Sequence, residues 1–524
     1  MSITFRKESN HKNIPTKCSL TGILVLDNWD DFGHKTLFDL IVFNESGERI
    51  DIGNLKIAYV GHEGGWTATS IDEQFTNLDT HFFSLGQDAD YYRNIVEKLG
   101  EELAEELLLA LGDVVHDPKR LEIAKPQGSF QTSLLRTVNE ESISNQFKRI
   151  LNHEAPLTQY DFFYEKEPAE NFSGIRIDFK VKPESKPSSN IHVLIGRNGV
   201  GKTTLLNNMV HALLPDTNNP KDNGFFAKEE SWIGTTALPD DYFAGIVSVS
   251  FSAFDPFVPP KDKVGDTSGI KYNYIGLKKR SKDDTWSIKD KADLSADFTK
   301  SLRICFNLGA KRNRWLDAVR RLESDINFAD MRLRALNDLY KKDDSDNKRT
   351  FVEQAAKLFY RMSSGHAVVL LTITKLVETV EEKTLVLIDE PESHLHPPLI
   401  SAFTRALSDL LVNRNGLAII ATHSPVVLQE VPRDCVSILR RARLQSKVEK
   451  PEQETFAENV GTLTREVFGL EVSKSGFYDL LATDVEKGMS YEEIEAIYSQ
   501  KIGFEGRALL RALISSRDRR EGAN

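Results

Sequence analysis

The chain has 524 residues, more than one hydrophobic core accommodates, so two or three domains are expected. Hydrophobic residues make up 40% and charged residues 28%, the balance of a globular protein, which excludes a disordered or fibrous chain. The net charge of −11 excludes a polycation that coats nucleic acid over its whole surface, so any such contact must be local. Cys18, Cys305 and Cys435 are far apart and odd in number, which argues against a disulfide framework or a cysteine zinc site and fits a reducing cytoplasm. The polar start MSITFRKESNHKN lacks the apolar segment of a secretory signal. The strongest apolar runs, LAEELLLAL and HAVVLLTI, fall short of the ~20 residues that span a bilayer, so a cytoplasmic chain with no membrane passage is expected.

In chain order, residues 20–60 alternate strand-like runs (GILVL, KTLFDLIVF, ERIDI, NLKIAYV) with the turn NESG, which predicts a small antiparallel sheet. A helix is predicted from about Asp88 to Leu111, where Ile95, Leu99, Leu103 and Leu107 recur every four residues. Residues 1–155 therefore form an expected α+β domain, with no recognisable catalytic constellation. GIRIDFKV (174–181) reads as a strand, and KPESKPSSN turns the chain into IHVLI, GRNGVGKT and the apolar helix LLNNMVHALL. TLVLID and GLAIIATH are short strands of the parallel, doubly covered type. Residues 156–432 thus read as an α/β nucleotide-binding domain. Between Phe254 and Met362 the pattern breaks into the Pro-rich DPFVPPKDK, a Lys/Arg cluster and helical stretches around 293–340 and 351–361, which reads as a helical insertion outside the core. Residues 433–524 form a mainly helical tail, with a helix starting at Ser490, where Ser490 and Glu493 make a capping-box pattern.

The chemistry concentrates in a few motifs. In GRNGVGKT, Gly196, Gly199 and Gly201 let the backbone N–H groups of Gly196 through Thr204, including those of Arg197, Asn198 and Val200, cradle phosphate oxygens at a helix start. Lys202 reaches the terminal phosphates, and Thr203 offers a hydroxyl to Mg²⁺. A glycine-rich turn alone would need neither the lysine nor the strand–loop–helix context. LVLIDEPES ends a buried strand with two acids: Asp389 to hold Mg²⁺ through water, and Glu390 to polarise a water attacking the γ-phosphate. His423 of ATHSP follows another apolar strand, where an imidazole could bond the γ-phosphate and report its loss. In MSSGH, Ser363 and Gly365 stand at a helix start able to present a hydroxyl and N–H groups to phosphate, although SSG by itself is a common helix-start signal. His394 and His396 in ESHLHPP are a weak metal signal without a third ligand nearby, against a role in a subunit-contact loop. Lys271–Lys282 carries five basic residues and Ala310–Arg334 seven against four acidic, with Tyr272, Tyr274 and Trp315 among them; a nucleic-acid contact or a solvated helix face would each account for them.

The ordered set GRNGVGKT, MSSGH, LVLIDEPESHLHP and ATHSP resembles the ATP-binding-cassette ATPases of the SMC and RecF type, over about Phe172 to Pro432. The resemblance implies an ABC-type P-loop core, the cofactors ATP and Mg²⁺, and two heads sandwiching nucleotide. Ser363 and Gly365 of one subunit would then complete the site of another, with a D-loop role on Glu392 to His396 and the switch role on His423. DEPESHLHPPLISAF, ATHSPVVLQEVP and VGTLTREVFGLEV further resemble the PtuA family of Septu and some retron antiphage systems. That implies an HNH endonuclease partner and, in retron systems, a reverse transcriptase with its RNA–DNA. Two departures stand out: VSFSAFDPF offers Ser250, Ser252 and Asp255 where the common pattern has a glutamine, and MSSGH lacks the signature's second glycine and glutamine. The function expected is an ATPase subunit of an antiviral defence complex that regulates a partner nuclease, the alternative being a DNA-repair ATPase acting directly on DNA.

Overall fold

The runs IHVLIG, TLVLID and LAIIAT are buried along nearly their whole lengths, because each lies in the middle of a sheet covered on both faces. The computed structural model describes residues 3–152, 159–169, 172–214, 219–230, 234–239, 242–252, 256–261, 270–280, 285–343, 345, 348–442, 445–472 and 476–521. Asp255, Lys282 and the expected boundary positions 155, 156 and 254 lie outside the described residues.

The central sheet has seven strands: β1 Ile191–Gly196, β2 Gly245–Ser250, β3 Lys271–Gly276, β4 Thr384–Asp389, β5 Leu417–Thr422, β6 Val436–Ala442 and β7 Gln445–Glu449. Their spatial order is β3-β2-β4-β5-β1-β6-β7, parallel throughout except for β7, which turns back along β6. Side chains alternate between two cores. Val193, Ile195, Val386, Ile388 and Ile420 face one, and Leu194, Leu385, Leu387 and Ile419 face the other. The second core is closed by helix α1 (Lys202–Leu213) and by a four-stranded antiparallel sheet with strands Tyr160–Lys166, Ile175–Val181, Phe225–Glu230 and Gly234–Ala237.

The first core corrects the expectation of a helical insertion lying outside it. Lys271–Gly276 is not helical but the edge strand of the central sheet, parallel to β2. Helices α2 (Lys291–Asn307) and α3 (Gly309–Leu322) drive Phe298, Leu302, Phe306, Trp315 and Val319 into the same core as the sheet. Further along come α4 (Ile326–Asp330), α5 (Arg349–Arg361), α6 (Ser364–Thr379) and α7 (Pro397–Asn413). Trp315 is fully enclosed, and its indole N–H donates to Thr374 Oγ1 at 2.9 Å. Tyr272 is 1% exposed, so neither ring can stack on a nucleobase. The tail differs likewise: β6 and β7, past Pro432, are sheet strands, and Leu463 and Val467 of helix Val460–Val472 join the first core. Beyond it, helices Phe477–Glu486, Tyr491–Ile497 and Phe504–Glu521 share a small core of Leu481, Val485, Ile494 and Leu510. Both bonds of the Ser490–Glu493 capping box form. No helix among the described residues is long and apolar enough to cross a membrane.

Near the N-terminus a six-stranded sheet runs in the order Gln74–Phe75, Thr4–Glu8, Thr21–Leu26, Leu37–Phe43, Arg49–Tyr59 and Phe82–Gly86. ERIDI and NLKIAYV are one strand rather than two, and Thr4–Glu8 pairs parallel with its neighbour. The single helix expected over Asp88–Leu111 is two, Ala89–Lys98 and Glu101–Leu111, because Gly100 adopts φ 76° between them.

Buried charges fasten this sheet and its helices to the α/β core. Asp88 takes a two-pronged bond from Arg314 at 2.7 and 3.1 Å and one from Arg414 at 3.4 Å. Glu381 accepts from Arg414 at 2.6 Å and from Lys311 at 2.7 Å. Desolvation would raise the Asp88 carboxyl, but the two guanidinium groups overcome it and hold the group well below the carboxylate range. Lys311 and Arg314 belong to the Ala310–Arg334 run, so part of its charge is spent inside the protein. Asp88→Ala, leaving two buried guanidinium groups short of a partner, is expected to destabilise the fold by about 3–5 kcal/mol, measured by urea denaturation.

Candidate nucleotide site

Parallel pairing brings the strand ends to one edge. Ile195 pairs with Thr422, Asp389 with Ala421 and Ser250 with Asp389, so the segments that leave β1, β2, β4 and β5 emerge side by side. This carboxyl edge is where open α/β sheets bind ligands.

The glycine loop spans the end of β1 and the start of α1. Gly199 and Gly201 adopt φ 80° and 98°, conformations closed to most L-residues, and Gly201 caps α1. Gly196 serves close approach instead: a Cβ there would collide with the carbonyl oxygen of Leu439 on β6. Asn198 and Gly199 are exposed on this turn, Arg197 and Val200 are half-buried, and Thr204 is exposed on α1, whereas Lys202 is 5% exposed. Its ammonium donates to the carbonyls of Gly196 at 3.0 Å and Arg197 at 3.2 Å, which centres the charge over the loop. Desolvation lowers the Lys202 pKa, against the opposing pull of Glu390, Glu392 and Asp389.

Thr203 and Asp389 line one cavity of about 50 Å³ with Ser248 and Ser250. These are hard oxygen donors on separate elements, the donor chemistry Mg²⁺ requires, so the residues fit the ion. Ser250 thus lies beside the position where the expected glutamine is missing.

Glu390 breaks from β4 in the left-handed region, at φ 45° and ψ 60°, while its N–H donates to Ala421 O at 2.8 Å. A non-glycine residue there stores about 1–3 kcal/mol and redirects the side chain out of the strand. Glu390 Oε1 lies 3.8 Å from His423 Nδ1. The deciding contact for His423 comes from Glu392, whose Oε1 is 3.0 Å from Nδ1 and accepts from the N–H of His423 at 2.6 Å and Thr422 Oγ1 at 2.7 Å. Glu392, 7% exposed in its side chain, is therefore turned toward His423 of the same chain. The sequence reading missed this tie because residue spacing does not show which way a side chain in a short 3₁₀ turn (Pro391–His394) points.

Ser363 caps α6, with Gly365 buried in its first turn. Among the described residues, the side-chain hydrogen bonds of Ser363 go to His366 (Nδ1 at 2.6 Å, backbone N–H at 3.5 Å) and none reaches the glycine loop. The structure thus brings Lys202, Thr203, Asp389, Glu390 and His423 to one edge, while Ser363 and Gly365 stand at the start of α6 on a separate element. Gly196→Ala, which forces β1 away from β6, is expected to lose about 1–3 kcal/mol of stability by thermal denaturation.

Residues 276–429 match the family described as "AAA domain, putative AbiEii toxin, Type IV TA system", a span holding Ser363, Asp389, Glu390 and His423 but not the glycine loop. Among solved structures, the chain is similar to a nucleotide-free ATP-binding cassette from an ABC transporter (13% identity over 59% of this chain and 98% of that one, TM-score 0.29). It is also similar to an Smc head bound to the C-winged helix domain of ScpA (12% identity, 56% and 97% coverage, TM-score 0.26). Protein ea59 of Escherichia phage lambda is 46% identical over 516 residues, which cover 96% of this chain and 97% of the phage protein. The chain, an α/β protein built on a mostly parallel central sheet, belongs to the family of the phage lambda protein ea59.

Proposed function

We propose that this protein binds and hydrolyses ATP between two copies of itself, and that the pairing regulates a partner HNH endonuclease in an antiviral defence complex. The observation that carries the reading is the division of the site. One edge of the sheet collects Lys202, Thr203, Asp389, Glu390 and His423, while the signature serine stands at the start of another helix, with its hydrogen bonds turned to His366. Such a half-site is completed by Ser363 and Gly365 of a neighbouring copy.

Bound Mg²⁺ would neutralise phosphate charge, held by Thr203 and Asp389. In the chain itself, the N–H groups of the loop and Lys202 orient the triphosphate. Glu390, pushed out of its strand by the left-handed turn, takes the proton of the attacking water, and His423, fixed by Glu392, contacts the terminal phosphate. The matched family is described as a putative toxin of a Type IV TA system, and the large non-catalytic segments around the site supply room for a partner.

Lys202→Ala is expected to abolish ATP binding in equilibrium dialysis. Glu390→Gln is expected to bind ATP, fail to turn it over and accumulate as a dimer in light scattering; turnover at the wild-type rate would remove Glu390 from its role. Glu392→Ala should lower kcat about 10- to 100-fold with ATP affinity kept, since it unfastens His423 and leaves Lys202 in place. For the partner, the tagged full-length protein should copurify with an HNH endonuclease and confer phage resistance that Lys202→Ala removes. Purification without nuclease, together with unchanged resistance on deletion, would overturn the assignment.

A further inference from the structure

Asp325, His366 and His396 come from three separate elements and converge at one point. Asp325 precedes α4, His366 lies in the first turn of α6 just after the signature serine, and His396 caps α7. His366 Nε2 lies 3.1 Å from Asp325 Oδ1, and His396 Nε2 lies 3.1 Å from Asp325 Oδ2. All three ligand atoms fall within 4.8 Å of one another. Asp325 and His366 are buried at 7% and 9% exposure, whereas the His396 side chain is 45% exposed.

We propose that these residues bind a zinc-type divalent cation, which governs whether the hydroxyl of Ser363 is free to meet a phosphate. Two imidazoles and one carboxylate, with a fourth position open to water beside His396, make the donor set of an open tetrahedral zinc site. Bonds of about 2.0–2.1 Å in a tetrahedron separate ligand atoms by about 3.3 Å, a value that lies between the 3.1 Å spacings, each to a different carboxylate oxygen, and the 4.8 Å limit on the whole set. The outer contacts are in place. Asp325 Oδ1 is oriented by the N–H groups of Asn327 at 3.0 Å and Phe328 at 3.1 Å, and His366 Nδ1 is fixed by Ser363 Oγ at 2.6 Å.

That last contact links the cation to the signature. The Asp325 carboxylate can only accept, so in the tautomer with Nε2–H toward it Nδ1 accepts, and the Ser363 hydroxyl spends its own proton on that nitrogen. A cation on Nε2 displaces that proton, and the ring regains one at Nδ1 through solvent, with no net uptake. Nδ1–H then donates to Ser363 Oγ, and the hydroxyl proton is released toward a phosphate oxygen of the neighbouring copy. The cation site stands on this geometry alone; its link to nucleotide rests on the reading of Ser363 given above.

The test is metal binding by the full-length protein dialysed against Zn²⁺, read by plasma mass spectrometry, with Co²⁺ as a spectroscopic substitute. About one equivalent per chain is expected, with a tetrahedral Co²⁺ spectrum. His396→Ala, at a half-exposed position, should lose it, and Ser363→Ala should bind about 10- to 100-fold more weakly. Wild-type protein that takes up no more zinc than His396→Ala would overturn the site and leave a hydrogen-bonded His–Asp–His buttress in its place. In excess Mg²⁺, removing zinc with a selective chelator should lower ATP turnover about tenfold in wild type and leave His396→Ala unchanged. Zinc bound without effect on turnover would overturn the link to Ser363. Protein that binds zinc but no ATP would refute the nucleotide reading and leave the cation site intact.

Discussion

The parallel alignment of β1, β5 and β4 is the constraint on which the rest of the molecule depends. Each strand contributes one segment at its carboxyl end, and the pairings Ile195–Thr422 and Asp389–Ala421 set those segments in register. A slip of one residue would turn every side chain of the shifted strand to the opposite face, exchanging its contributions to the two cores. Burial on both faces is what prevents the slip. The placement of the chemical groups is thus a by-product of hydrophobic packing several residues away from them.

Polar ties refine what the sheet positions coarsely. Glu390 is aimed by backbone strain that the surrounding pairing sustains, and His423 by a buried carboxylate of its own subunit. The same logic operates on a larger scale at Asp88, where Arg314, Arg414, Glu381 and Lys311 form a buried chain of alternating charge. Hydrogen bonds reach these groups from several directions, although the Nε atoms of Arg314 and Arg414 are buried without a partner among the described residues, and the charges tie the N-terminal sheet to the core. Asn54 adds a neutral bond at the same junction by accepting from the N–H of Gly309 at 2.6 Å.

The signature serine sits where two such systems meet. It caps α6 and shares a proton with His366, whose other nitrogen faces Asp325. In the proposed dimer the Ser363 hydroxyl would therefore answer to residues at the starts of α4 and α7, giving the helical elements beside the sheet a physical route to the proposed nucleotide pocket.

The sequence determined those features whose cause is local. Gly199 and Gly201 are legible because left-handed backbone demands glycine, and TLVLID and LAIIAT because strands covered on both faces lose their polar alternation. The Ser490 capping box is legible for the same reason, both of its bonds spanning three residues. Helical periodicity marked the stretches 293–340 and 351–361, but a periodic apolar face does not name its partner, and only the tertiary structure placed Trp315 in the principal core. It also decided that Gly100 divides one helix into two, that Lys311 and Arg314 are spent on the carboxylates of Glu381 and Asp88, and that Glu392 faces inward. The convergence of Asp325 with His366, 41 residues away, and with His396 on a third element had no sequence signal, because ligand spacing is written in the chain only when one element carries the ligands.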